Sequence, residues 1–190
     1  MPMSVPDVAD ERAGLLGFLA QQRSAVRNSA YGLTDEEARK RTTGSSLSIG
    51  GLVKHLTGAE KGWIDRVLDC DTSDPTDYSA YLAGFQMGPD ETLAELLALY
   101  ETEARRTDTA IAGVADLGQA VPLPKGVPWF PESASVRWVL LHLVEETARH
   151  AGHADIIRES LDGATAGALM AADEGWEPTP WVTPWTRATS

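Results

Sequence analysis

His142, Glu146, His150 and His153 stand at offsets of 0, 4, 8 and 11 in the segment LLHLVEETARHAGHADIIRE. At 3.6 residues per helical turn these side chains fall close together along one face. Three imidazoles and a carboxylate on one stripe suit a divalent metal better than a hydrophobic core. Glu146 and His150 are one turn apart, so both can reach one ion. A single helix cannot surround an ion, and the remaining histidine, His55 in GGLVKHLTGAEKGWIDRVL, could close the site from a facing helix. Two nitrogens and one oxygen would leave a coordination position open for water or substrate, the pattern of a catalytic rather than a structural zinc site. Each residue taken alone has a plainer reading: His55 as a packed histidine beside Leu56, Glu146 and His150 as a solvated helix face. Glu145 offers that face an alternative carboxylate. The concentration of every histidine of the chain in two helical segments favours the metal.

The elements that must position these residues read as four long helices. The first covers about Val8 to Tyr31, with Leu15, Leu16, Leu19, Val26 and Ala30 at helical spacings. Thr34 and Glu37 then form a capping-box signature at the start of a short helix. The second long helix runs from near Ser48 to about Leu68, and Asp69 to Tyr78 reads as a loop. The third is expected after Pro89, where Asp90 and Glu91 favour a helix start. Between Leu117 and Ser135, Gly118, Pro122, Pro124, Gly126, Pro128 and Pro131 break any regular element, and Trp129 and Phe130 could fold back over a cavity. The fourth helix covers about Ser135 to Leu161 and stops at Gly163. No segment sustains an alternating pattern, so no sheet is expected. The fold class is all-α, a four-helix bundle with long crossover connections. The tail after Gly163 opens with an alanine-rich, helix-like stretch and becomes rich in tryptophan and proline. Trp176, Trp181 and Trp185 are expected to lie across the bundle, or across a partner subunit in a homodimer.

A chain of 190 residues with 43% hydrophobic residues can bury a substantial core. It reads as a single domain over 1–190, with a bundle at about 8–163 and an extension at 164–190. Sixteen basic against twenty-eight acidic side chains give a net charge of −12. That field repels phosphate backbones and anionic membrane surfaces, so neither nucleic acid nor membrane is an expected partner. No signal-peptide pattern or membrane-length apolar run is found, and a cytoplasmic location is the default expectation. The lone cysteine, Cys70, excludes an intrachain disulfide, and its neighbouring aspartates disfavour a reactive thiolate. HLVEE is not HExxH, paired zinc-binding cysteines are absent, and the glycines of TTGSSLSIGG do not form a phosphate loop.

The segments SIGGLVKHLTGAEKGWI and SVRWVLLHLVEETARHAGHADIIRE, with the helix order and the proline-rich crossover, carry a resemblance to the DinB-like superfamily of four-helix metalloproteins. The likeness spans roughly Glu11 to Gly163 and is nearest the superfamily's thiol-dependent actinobacterial branch. It implies that a histidine of the second long helix joins two side chains four residues apart on the fourth around a divalent metal. Those positions are His55, Glu146 and His150 here. Many members of the superfamily have histidine at the Glu146 position. The His-Glu-His set resembles instead that of the mycothiol-dependent maleylpyruvate isomerases. Ala151 and His153 stand where other members have arginine and glutamine.

The resemblance implies a thiol S-transferase or thiol-assisted isomerase. The metal, zinc first and nickel, manganese or iron as alternatives, would activate a small thiol such as mycothiol for attack on a small electrophile. His142 and His153, one turn either side of the ligand pair, could bind substrate or orient a water, and Glu145 or His142 could assist proton transfer. Arg137 or Arg149 could offset a substrate carboxylate. Two other functions fit the same residues: a metal-dependent hydrolase acting through bound water, and a noncatalytic bundle that binds a small ligand or metal.

Overall fold

Four amphipathic stretches, each opened by a capping side chain, form the long helices α1 (Glu11–Ser29), α3 (Ile49–Val67), α5 (Leu93–Gly113) and α6 (Val136–Asp162). Three short helices, α2 (Asp35–Arg39), α4 (Tyr78–Ala83) and α7 (Ala166–Asp173), lie between and after them. The structure, a computed structural model, describes residues 4–8, 10–70, 78–125, 127–128 and 130–187. Most of the loop expected at Asp69 to Tyr78, and Trp129 of the crossover, lie outside the described residues.

The caps explain where the helices start. Asp10 accepts the Arg12 N–H at 2.9 Å, so α1 opens at Glu11 and not near Val8. Thr34 and Glu37 make the expected capping box on α2. A second box, Thr92 with Glu95, starts α5 three residues later than the acidic pair at Asp90 and Glu91 suggests. Glu91 is drawn into the preceding turn instead, where it accepts the Gly88 N–H and pairs with Lys54 at 2.7 Å. Gly163 ends α6 with φ 77, a left-handed conformation that glycine adopts without a Cβ clash. One short sheet overturns the expectation of none: Ala120–Val121 pairs antiparallel with Ala134–Ser135 and closes the crossover. Two-residue strands are too short to show alternation in a sequence.

In the packing, α1 lies along α6, α3 along α5, and α3 also against α6, which sets the second and fourth long helices side by side. The core has two apolar clusters. One gathers Val26, Leu52, Leu56, Leu96 and Ala154, and the other Leu19, Ile64, Ile111, Val139 and Leu143. Along every long helix a polar position separates them: Arg23 on α1, Glu60 on α3, Thr107 on α5 and Thr147 on α6, all buried. Arg23 Nε donates to Glu60 at 3.1 Å, and its Nη1 to Asp108 at 3.0 Å. Glu146 and His150 flank Thr147, so the histidine stripe of α6 crosses the level of this polar layer.

The tail covers apolar surface at one corner of the bundle. Trp185 lies against Gly32, where an added Cβ would come within 2.7 Å of the indole. It meets Tyr31 edge-on at 6.0 Å and stacks 4.8 Å from the Arg158 guanidinium. Arg187 then forks onto Glu37 at 3.0 and 3.1 Å. Trp181, by contrast, is 95% exposed, held outward by a turn in which Thr179 and Val182 bond to each other. The covered corner is formed by the turn after α1, by Glu37 of α2, by Arg158 of α6 and by α7, whose Ala168 carbonyl accepts the Trp185 N–H at 2.9 Å.

The Arg187 guanidinium, with the Thr34 N–H behind it, holds the Glu37 carboxyl at about 2 against an ordinary 4.5. A carboxylate lowered in the folded state contributes stability above its unfolded value, and this is lost as pH falls toward the folded one. Arg187→Ala is therefore expected to melt below the parent at neutral pH and to lose less stability between pH 4.5 and 2. Thermal melts across that range check it; parallel curves for the two chains would mean the tail does not dock in solution.

Candidate metal centre

Helix α3 presents His55 and helix α6 presents Glu146 and His150 into the groove between them. His55 Nε2 lies 2.9 Å from Glu146 Oε1, and His150 Nε2 lies 3.3 Å from the same oxygen. The two imidazoles meet edge to face with centroids 4.9 Å apart. One ligating atom from each of the three residues falls within 4.8 Å of the others. Around an ion with bonds of about 2.1 Å, neighbouring ligand atoms stand roughly 3.0–3.4 Å apart, so the donor set fits with small side-chain adjustments. Its chemistry fits as well. The hydrogen bonds from His150 and His55 hold the Glu146 carboxyl well below the usual carboxylate range despite its burial, so the oxygen donor is ionised.

Each histidine is oriented from behind. His55 is stacked by Phe85 at 3.7 Å and 16°, and Tyr81 meets it edge-on at 6.1 Å. Phe85 reaches it because Gly50 and Gly51 leave room for the chain after α4. A Cβ on Gly51 would stand 2.0 Å from the Phe85 carbonyl, and one on Gly50 2.4 Å from Met87 Sδ. The SIGG motif thus caps α3 through Ser48 and also admits a neighbouring backbone. On the other side, His150 Nδ1 lies 3.3 Å from His153 Nδ1, a contact that leaves His150 Nε2 facing Glu146.

The remaining candidate residues are spread along α6. His142 sits a turn before Glu146 in an aromatic enclosure, stacked on Trp138 at 5.0 Å and edge-on to Trp63 at 5.2 Å. Glu145 points outward with its side chain 66% exposed, 3.8 Å from His142 and 3.9 Å from Arg149. Arg137 is held by Glu11 at 2.6 Å. Cys70 is exposed and free.

His55 and Glu146 line one end of a cavity of about 660 Å³, and Trp63, Phe130 and His142 line the other. Tyr81 borders it near the metal ligands. Partial burial, with the Glu146 charge nearby, pushes the Tyr81 phenol up, so its hydroxyl remains a donor at neutral pH. Neither Phe85 nor Tyr81 is singled out by residue type or spacing in the sequence. The adjacent glycines at the start of α3 were the available signal, since such a pair marks a close backbone approach.

A helical bundle that brings two imidazoles and a carboxylate together between facing helices has the donor set of a divalent-metal site. The chain belongs to the mycothiol-S-transferase family, whose model matches residues 14–163. Among curated proteins nothing matches it significantly. Among solved structures it is similar to a conserved protein from Enterococcus faecalis, with a TM-score of 0.64 and 12% identity over 83% of this chain and 100% of that one. At that identity the likeness concerns the fold. Among the described residues, no helix is long and apolar enough to cross a membrane.

Proposed function

We propose that the chain is a metal-dependent transferase that joins the thiol of mycothiol, or a similar small thiol, to a small electrophile. The observation that carries this reading is the His55–Glu146–His150 group at one end of a cavity large enough for reactants. Family membership supports the choice of thiol. A divalent ion held by these residues, zinc first and nickel, manganese or iron as alternatives, would supply the positive charge that keeps a thiol deprotonated at neutral pH.

The chain's own groups then have distinct tasks. Glu146 offsets the ion's charge, and Phe85 and His153 fix the ring planes of His55 and His150. Tyr81 and His142 border the reaction space from either end, where a hydroxyl and an imidazole can hold the electrophile's oxygen or return a proton. Glu145 can steer His142 from the outside of α6. Arg137 and Arg149, engaged by Glu11 and Glu145, are assigned no part. In the transfer, sulfur forms a bond to the electrophilic carbon. The leaving group departs with its electron pair, or a conjugated acceptor gains a proton, and the thiol proton passes to solvent. The chain's one cysteine is exposed, away from the cavity lining, so the sulfur must be brought in.

Product formation is expected only when metal and mycothiol are both present. The check is an assay of chelated and metal-restored protein, each with and without the thiol, against a panel of electrophiles. Turnover with metal alone would point to a hydrolase, and stoichiometric ligand binding without product in all four conditions to a noncatalytic binder.

A further inference from the structure

The end of the cavity away from His55 and Glu146 is lined by a bare stretch of α3 and by aromatic rings. Its floor is the exposed face of α3, where Gly58 and Gly62 stand one turn apart with Ala59 between them. A Cβ added to either glycine would meet no atom within 4 Å, so no packed neighbour explains them. Two glycines inside a helix weaken it relative to alanine. What they provide is a bare strip of backbone that a planar molecule can lie on.

The walls are aromatic. Trp63 and Phe130 meet edge to face at 5.4 Å, and His142 is fixed edge-on to both by its stack on Trp138. The charges at the cavity's edge already have partners. Lys54 pairs with Glu91 at 2.7 Å, and Asp65 with Lys61 at 2.6 Å and with Arg106. Arg66 donates to the Pro122 carbonyl at 3.2 Å. A carboxylated ring would have to compete with these partners for a cation and would lose its hydration on entry.

Four residues of α6 separate His142 from Glu146, about 6 Å along the helix axis, which is the span of one ring carrying a reactive substituent. We infer that the electrophilic substrate is a neutral, planar, ring-bearing molecule, seated on Gly58 and Gly62 between Trp63, Phe130 and His142, with its reactive carbon toward Glu146. This deepens the transferase reading and rests on it for the word substrate.

The test is calorimetric titration of the full chain, in the presence of chelator and without thiol, using 2-naphthol and naphthalene-2-sulfonate as probes. One equivalent of 2-naphthol is expected to bind, with the sulfonate weaker by about tenfold or more, the scale on which apolar pockets discriminate. Gly62→Leu, which fills the floor, should weaken 2-naphthol by a similar factor, and Gly113→Leu, on another helix and also in open space, should not. Equal affinity for the two probes overturns the inference without recourse to a variant, as does absent naphthol binding. Because neither metal nor thiol is present, a negative result here leaves the metal–thiol reading standing. Failure of thiol-dependent turnover would in turn leave ring binding untouched.

Discussion

Glu146→Ala is expected to lower affinity for a divalent metal by roughly a hundred- to a thousand-fold. Structural zinc sites with four ligands bind with about 10–16 kcal/mol, or roughly 2.5–4 kcal/mol per ligand, and each 1.4 kcal/mol is a factor of ten. Glu146 is the one anionic donor of the group, and its Oε1 is shared by both histidines at 2.9 and 3.3 Å. Glu146→Gln keeps the shape but removes the charge and should retain little of the affinity. His55→Ala and His150→Ala should resemble Glu146→Ala. His153→Ala should cost about tenfold, the lower end of the effect of losing a ligand's orienting partner. His142→Ala, which alters the aromatic enclosure, should leave affinity unchanged. Competition against a chromophoric chelator measures all of these. Parent-like affinity in Glu146→Ala would remove it from the ligand set, and a larger loss in His153→Ala than in His150→Ala would shift the site by one turn.

Gly51→Ala is the substitution expected to damage fold and site together. Its new Cβ would stand 2.0 Å from the Phe85 carbonyl oxygen and 2.8 Å from the carbonyl carbon, and backbone cannot swing aside as a side-chain tip can. Overpacking of this kind costs about 1–3 kcal/mol, and the chain after α4 must lift to relieve it. The Phe85 ring would then leave His55, from which it is now 3.7 Å away. Gly58→Ala, seven residues along the same helix and in open space, should instead gain about 0.5–1 kcal/mol from reduced backbone freedom in the unfolded chain. The paired melts thus predict opposite signs, and only Gly51→Ala should also weaken metal binding. Parent-like melting of Gly51→Ala would show that the segment carrying Phe85 packs elsewhere in solution.

The bundle was legible because apolar periodicity and capping chemistry are local properties. Ser48, Ser135 and Gly163 marked helix ends correctly for that reason. Asp90 and Glu91 offer the right charge for a helix start, yet α5 starts three residues beyond Asp90. The residue that decided it, Thr92, acts through a reciprocal bond with Glu95 that a charge pattern does not register. On α6 the spacing placed four titratable side chains on one stripe, but spacing alone left open which of them face α3. That depends on the rotation of one helix against another. Glu146 and His150 turn toward His55, while Glu145, one residue earlier, turns to solvent. Phe85 and Tyr81 come from a short helix and turn whose position is fixed by tertiary contact, so the Gly50–Gly51 pair marks a close approach there without saying which residues make it. The tail shows the same limit. Trp185 and Trp181 have similar sequence surroundings, yet one is sandwiched by Arg158 and Gly32 and the other is 95% exposed.

The proposed function requires His55, Glu146 and His150 to hold a divalent ion at which an external thiol becomes reactive. Cobalt substitution followed by titration with mycothiol tests it most directly, because cobalt reports its ligands in the visible and near-ultraviolet spectrum. A sulfur-to-cobalt charge-transfer band is expected that saturates at one equivalent of thiol and is missing from Glu146→Ala and His150→Ala. A cobalt spectrum that stays unchanged as mycothiol is added to the parent protein would contradict it.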